Sequence, residues 1–248
     1  MKKALSILTS IILCLLLCSP LTAYAETYSP SDTDISIELD NSLWYVFTRD
    51  NIKDNPELEE LGIAYEYLQN ALQSNNAYMD ALLFYEDGTC IELFIRKKYT
   101  DSGIANFSNH DDEKIMEFSK DVAKRVGAET YSTYETQYKY AYTEYKDTNL
   151  NVNLLQYTTV VNKDIYSITL QSETAFDDSH KELFKNIIDT VTFDVDSSIK
   201  EESSDKDYSF IWKGALKGAV AGGVGGLIVS LITKASKKKK AQKNNDIE

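Results

Sequence analysis

Between residues 35 and 195 the hydrophobic period of the chain switches repeatedly, and each switch marks an element. Ile35-Ser36-Ile37-Glu38-Leu39 alternates apolar and polar positions, as a half-buried strand does. Trp44-Tyr45-Val46-Phe47 reads as its neighbour across an Asp40-Asn41 turn. Pro56, with Asp54 or Asn55 as cap, opens a helix carrying Leu58, Leu61, Tyr65, Leu68 and Leu72 on one stripe. Asp80 to Tyr85 and Thr89 to Arg96 flank Glu86-Asp87-Gly88, a hairpin signal. Ser108 or Asn109 caps a second helix with Ile115, Phe118 and Val122 inward, ended by Gly127 behind Lys124-Arg125. Three strands follow, Tyr131 to Tyr145 with room for one break, Val152 to Val161, and Ile165 to Gln171. Asn162-Lys163-Asp164 is too short for a crossover, so the last two pair antiparallel. Asp177, Asp178 or Ser179 caps a third helix carrying Leu183, Phe184, Ile187, Ile188 and Val191, and a short β segment follows at Thr192-Phe193. The expected fold is α+β, an antiparallel sheet with amphipathic helices packed on it.

A different pattern governs the end of the chain. Gly218 to Thr233 is a run of sixteen uncharged residues, and with Phe210 to Lys217 it makes a helix long enough to span a bilayer. Lys213 and Lys217 then snorkel from its outer turns, Trp212 sits at the interface, and the lysines from Lys234 onward place the C-terminus in the cytoplasm. Gly214, Gly218, Gly222 and Gly226 recur every four residues, three overlapping G-x-x-x-G steps on one helix face. That groove suits association with a second copy or with another single-span protein.

The N-terminus completes an export topology. Met1-Lys2-Lys3, the apolar run Ala4 to Leu17 and Ala23-Tyr24-Ala25 have the three parts of a secretory signal peptide. The expected organisation is a signal peptide over 1–25, a polar lead-in over 26–34 and an exported α+β domain over 35–195. A juxtamembrane linker over 196–209, the spanning helix over 210–233 and a basic cytoplasmic tail over 234–248 follow. Cys14 and Cys18 leave with the signal, so the mature chain keeps Cys90 alone and has no internal disulfide.

Charge divides at the same boundary. Residues 26–209 carry 16 Lys and Arg against 37 Asp and Glu, a net of −21, whereas residues 210–248 carry a net of +6. An acidic exported face disfavours nucleic acid, suits solubility, and leaves cationic partners open.

Candidate chemistry is sparse. His110 and His180 stand in the first turns of predicted helices among acids that answer a helix dipole. The sequence shows no nucleophile elbow, H-E-x-x-H, C-x-x-C, phosphate loop or EF-hand loop, so no catalytic residue, metal or cofactor is assigned. The most unusual soluble feature is the tyrosines, seventeen in all. Tyr138, Tyr140 and Tyr142 share one face of a strand, with Tyr134 nearby. They form either an aromatic platform for a glycan or protein ligand, or a face packed under a helix.

Two features resemble the PsbP-like α/β sandwich family over residues 35–195. One is the Trp44-Tyr45 pair soon after the first strand. The other is the ending Tyr157-Thr158-Thr159-Val160-Val161-Asn162, Tyr166-Ser167-Ile168-Thr169, Phe184 and Ile187-Ile188-Asp189-Thr190-Val191-Thr192-Phe193. The signal peptide and the glycine-rich Trp-Lys-Gly anchor are similar to those of membrane-anchored proteins of low-GC Gram-positive bacteria. The resemblance implies a non-catalytic binding or assembly factor and transfers no site residue. The expectation is therefore a single-pass cell-surface protein with a non-enzymatic extracellular binding or assembly domain. The alternative from a different class is a cell-surface hydrolase with an unrecognised site.

Overall fold

Ten strands and four helices alternate in the computed structural model, which describes residues 25–99 and 104–200. The signal segment up to Tyr24, the anchor with its four glycines and the basic tail lie outside the described residues. Among the described residues no helix is long and apolar enough to cross a membrane.

The strands form two antiparallel sheets. The first strands are β1 (Ala25–Tyr28), β2 (Ile35–Asp40) and β3 (Trp44–Thr48), followed by helices α1 (Pro56–Leu61) and α2 (Tyr65–Ser74). Next come β4 (Ala77–Phe84), β5 (Cys90–Tyr99), α3 (Asp112–Val126), β6 (Thr130–Glu135) and β7 (Lys139–Asp147). The chain continues through β8 (Val152–Val161), β9 (Asp164–Ser172), α4 (Asp178–Asp189) and β10 (Thr192–Phe193). The large sheet has the order β3-β4-β5-β9-β8-β7-β6, and a small sheet has the order β1-β2-β10. This is the α+β architecture that the periodicities predict.

Two local features differ from the sequence reading, and a third takes the one break it left room for. Strand β1 runs from Ala25, the last residue read as signal peptide, into the stretch read as a polar lead-in, and its Thr27 pairs with Glu38 of β2. Its side chains are largely exposed, so no apolar alternation announces it. The first helix is two, because Gly62 adopts a left-handed φ of 68° and closes α1 before α2 begins. The segment from Tyr131 to Tyr145 breaks into the β6–β7 hairpin, which sets Tyr134 opposite Tyr140.

Each face of the large sheet is covered differently. On one face Met79, Leu93, Ile95, Leu155, Ile168 and Leu170 pack with Ile35, Ile37 and Leu39 of β2 and Phe184, Ile187 and Ile188 of α4 in a single core. On the opposite face α1 and α2 seat Leu58, Leu68 and Leu72 on Phe47, Leu82 and Cys90. Farther along that face α3 seats Ile115, Phe118 and Val122 on Ala141, Val160 and Ile165. Between these two helical covers runs a band of buried polar residues from β4, β5, β9, β8 and β7.

Candidate functional site

Strand β5 is central in the large sheet and buried on both faces. Ile91, Leu93 and Ile95 enter the core beneath β2 and α4, so alternation sends Cys90, Glu92, Phe94 and Arg96 to the helix side. There Glu92 lies opposite Leu82 on β4 and opposite Gln171 on β9, and Phe94 lies opposite Asp80. Four polar side chains thus meet in the dry layer beside α2. Glu92 is 0% exposed, Gln171 1%, Asp80 4% and Arg96 6%.

Their hydrogen bonds are incomplete. Gln171 Nε2 donates to Glu92 Oε2, and the Arg96 guanidinium lies 4.5 Å over the Phe94 ring. Asp80 Oδ1, Glu92 Oε1, Gln171 Oε1 and Arg96 Nε have no hydrogen-bond partner, nor does the Tyr67 hydroxyl from α2. An unpaired polar group in a dry interior costs about 1–3 kcal/mol, so this cluster is the candidate site of the domain.

The two acids perturb each other. Burial pushes the Asp80 carboxyl up to about 7, opposed by its hydrogen bond with Glu92 and by the Arg96 charge. Burial, then the charge of Asp80, drives Glu92 well above the usual carboxylate range. Burial and the proximity of the two acids therefore both favour the pair keeping a proton rather than carrying two charges.

A small pocket adjoins the pair. Ala71, Leu72 and Asn75 line one side, while Ala77, Asp80, Glu92, Phe94 and Arg96 line the other. Its free volume of about 10 Å³ is the room that one water molecule or one ammonium head needs. It is partly open to solvent beside half-buried Asn75. Beyond it the polar band is internally bonded. Tyr145 donates its hydroxyl to Gln156 Oε1 (3.3 Å), and Gln156 Nε2 donates to Thr158 Oγ1 (2.9 Å).

The tyrosine face is not an open platform. Tyr140 is fully buried, and Tyr134, Tyr138 and Tyr142 are half-buried against the same core. Tyr157 sits among them, edge-on to Tyr134 and Tyr140 and 5.1 Å from Phe184 of α4. The Tyr138 hydroxyl bridges to β10, donating to Phe193 O (3.1 Å) and accepting from Phe193 N (2.9 Å). Of the two readings of that face, the structure shows the packed one, because α4 and β10 cover it.

Other candidates for chemistry hold structural posts. Cys90 is buried, and burial pushes its thiol well above the ordinary range. His180 completes a capping box at the start of α4, where Asp177 accepts from His180 N at 3.0 Å. His110 lies against β7, and its carbonyl accepts from Lys139 Nζ at 3.0 Å. Among the described residues no group of three or more metal-ligating side chains is assembled.

The pocket acids carry no motif and were not singled out by the sequence reading. A signal was present, since Glu92 and Arg96 sit in a strand with Ile91, Leu93 and Ile95. A sheet face can hold charge at alternate positions because it is wet or because it is a site. One strand cannot distinguish these.

No family model and no curated protein matches the chain. Among solved structures, the chain is similar to the solution structure of cyanobacterial PsbP (CyanoP) from Synechocystis sp. PCC 6803. That match has 16% identity and a TM-score of 0.40, over 71% of this chain and 97% of that one. PsbP is also the name of the family that the sequence pattern resembles.

Proposed function

We propose that the chain is a membrane-anchored, non-enzymatic binding or assembly module of a bacterial cell surface, engaging its partner at the pocket beneath α2. The observation that carries this reading is the set of buried, unpartnered polar atoms on Asp80, Glu92, Arg96 and Gln171, beside a pocket that opens to solvent. Rigid strands hold the three charged side chains in place, so a partner group meets a preorganised site. The net of −21 over residues 26–209 draws cationic partners toward it. Cys90 and His180, the side chains best suited to covalent or acid–base work, are committed to the core and to a helix cap, which favours binding over turnover.

In this reading residues 210–233 cross the membrane, and the face of Gly214, Gly218, Gly222 and Gly226 packs against another span. Photo-crosslinking of the full-length chain in its native membrane tests the binding site. A crosslinker replacing Asn75 at the pocket mouth should give a discrete adduct. The same group replacing exposed Glu86, at the far end of β4, should not. No adduct at Asn75, or identical adducts at both positions, would overturn the assignment.

A further inference from the structure

We infer that the pocket beneath α2 takes a primary ammonium group, a lysine head or a small amine, against the carboxyls of Asp80 and Glu92. The inference rests on the reading of the pocket as a binding site and names its ligand class. Three unpartnered oxygens face this layer, Asp80 Oδ1, Glu92 Oε1 and Gln171 Oε1, and all three side chains are more than nine-tenths buried. Of these, Asp80 and Glu92 line the pocket itself, and a primary ammonium offers three N–H donors, enough for both of their free oxygens. Its nitrogen is the size of a water molecule, which matches the free volume of about 10 Å³. The alkyl stem would leave past Asn75, the half-buried residue of the lining.

Charge points the same way. Arg96 balances one of the two carboxylates, and the second requires a proton or another cation. When an ammonium group enters, the shared proton leaves to solvent, and the net charge of the site is unchanged. The other titratable groups nearby are Tyr67 on α2, Cys90 on β5 and Tyr145 on β7. Burial raises each above its ordinary value, so none of them changes charge between pH 5 and 8. The exchange therefore belongs to the carboxyl pair. It strengthens as pH rises, because the competing proton is then scarcer.

The test is thermal unfolding of the full-length chain in neutral detergent, in methylammonium chloride and in tetramethylammonium chloride at equal concentration. Tetramethylammonium has the same charge but no N–H donor and is too large for the pocket. At pH 8 methylammonium should raise the melting temperature by about 2 °C or more over tetramethylammonium. The difference should vanish at pH 5 and in Glu92→Gln, a near-isosteric change that mimics the protonated acid. In weakly buffered solution at pH 7.5, methylammonium should also release close to one proton per wild-type chain. That measurement stands even if the variant does not fold. Equal melting in the two salts at pH 8, or no proton release, overturns the ammonium assignment and leaves capture through Asn75 to judge the binding reading separately. Loss of capture with a retained ammonium effect would sink the partner and keep the site.

Discussion

Glu92 and Gln171 face each other across β5 and β9, and the Gln171 amide donates to Glu92 Oε2 in a buried layer of the sheet. Gln171 thereby fixes which Glu92 oxygen is left toward the pocket. Replacing Gln171 by Leu leaves Glu92 Oε2 without its donor. Stability should fall by about 1–3 kcal/mol in chemical denaturation, the cost of an orphaned buried acceptor. A cost within error would mean that Glu92 has water or another donor at hand.

Stability should decline as pH rises through neutrality. An acid whose folded value is raised binds its proton more tightly in the native state, so the native state holds more protons than the unfolded chain. The contribution is then complete below the unfolded value near 4 and is lost as pH climbs to about 7 for Asp80, and beyond for Glu92. Each extra proton held gives a slope of about 1.4 kcal/mol per pH unit. Asp50 and Asp177 act in the opposite sense. The hydroxyls of Ser31 and Ser179 hold their carboxyls low, so their smaller contributions are lost toward acid pH. Denaturation midpoints from pH 5 to 8.5 should fall in the wild type, and much less in Glu92→Gln.

The tyrosines predict core behaviour. Tyr140→Ala should cost about 3–5 kcal/mol, as truncation of a buried aromatic does. Tyr138→Phe keeps the ring against Phe193, 4.9 Å away, and removes only the hydroxyl bridge to β10, so its cost should be nearer 1 kcal/mol. Thermal melts of the two variants check the ranking. If Tyr140→Ala melts like the wild type, that face is not packed.

Most of the element order was legible because periodicity reports burial directly. Ile35, Ile37 and Leu39 alternate into the core, the stripe through Phe184, Ile187 and Ile188 faces the sheet, and Asp177 caps α4. What escaped has local causes. β1 has almost no buried side chain and is held by backbone pairing to β2. Gly62 needs a left-handed backbone that no hydrophobic period records. The site escaped because Gln171 comes from a strand far along the chain, and because only the register of the predicted β4–β5 hairpin puts Asp80 and Glu92 on one buried face.

Asn162 closes the domain where the chain leaves toward its C-terminal segment. In the two-residue β8–β9 turn, Asn162 and Lys163 both have positive φ, 55° and 66°. The Asn162 amide donates to Asp34 Oδ2 (3.0 Å) and Asp194 O (2.7 Å), and its oxygen accepts from Asp196 N (2.9 Å). Asn162→Ala should lower stability by about 1–3 kcal/mol and hasten proteolysis around Val195, an exposed position beyond β10. Unchanged cleavage there would show that the exit is held by Asp194 N on Asp34 O alone (2.8 Å).

The central claim is that Asp80 and Glu92 hold a proton between them beneath α2. Infrared difference spectroscopy of the full-length chain in heavy water reads this directly, because a protonated carboxyl has a C=O stretch that a carboxylate lacks. At pH 6.5, where exposed acids are ionised, the wild type should show one such band. The band should fade as pH rises past 8 and be lost or displaced in Glu92→Gln. A wild-type spectrum at pH 6.5 with no protonated carboxyl would contradict the account, since both acids would then be ionised and the pocket would be wet and open.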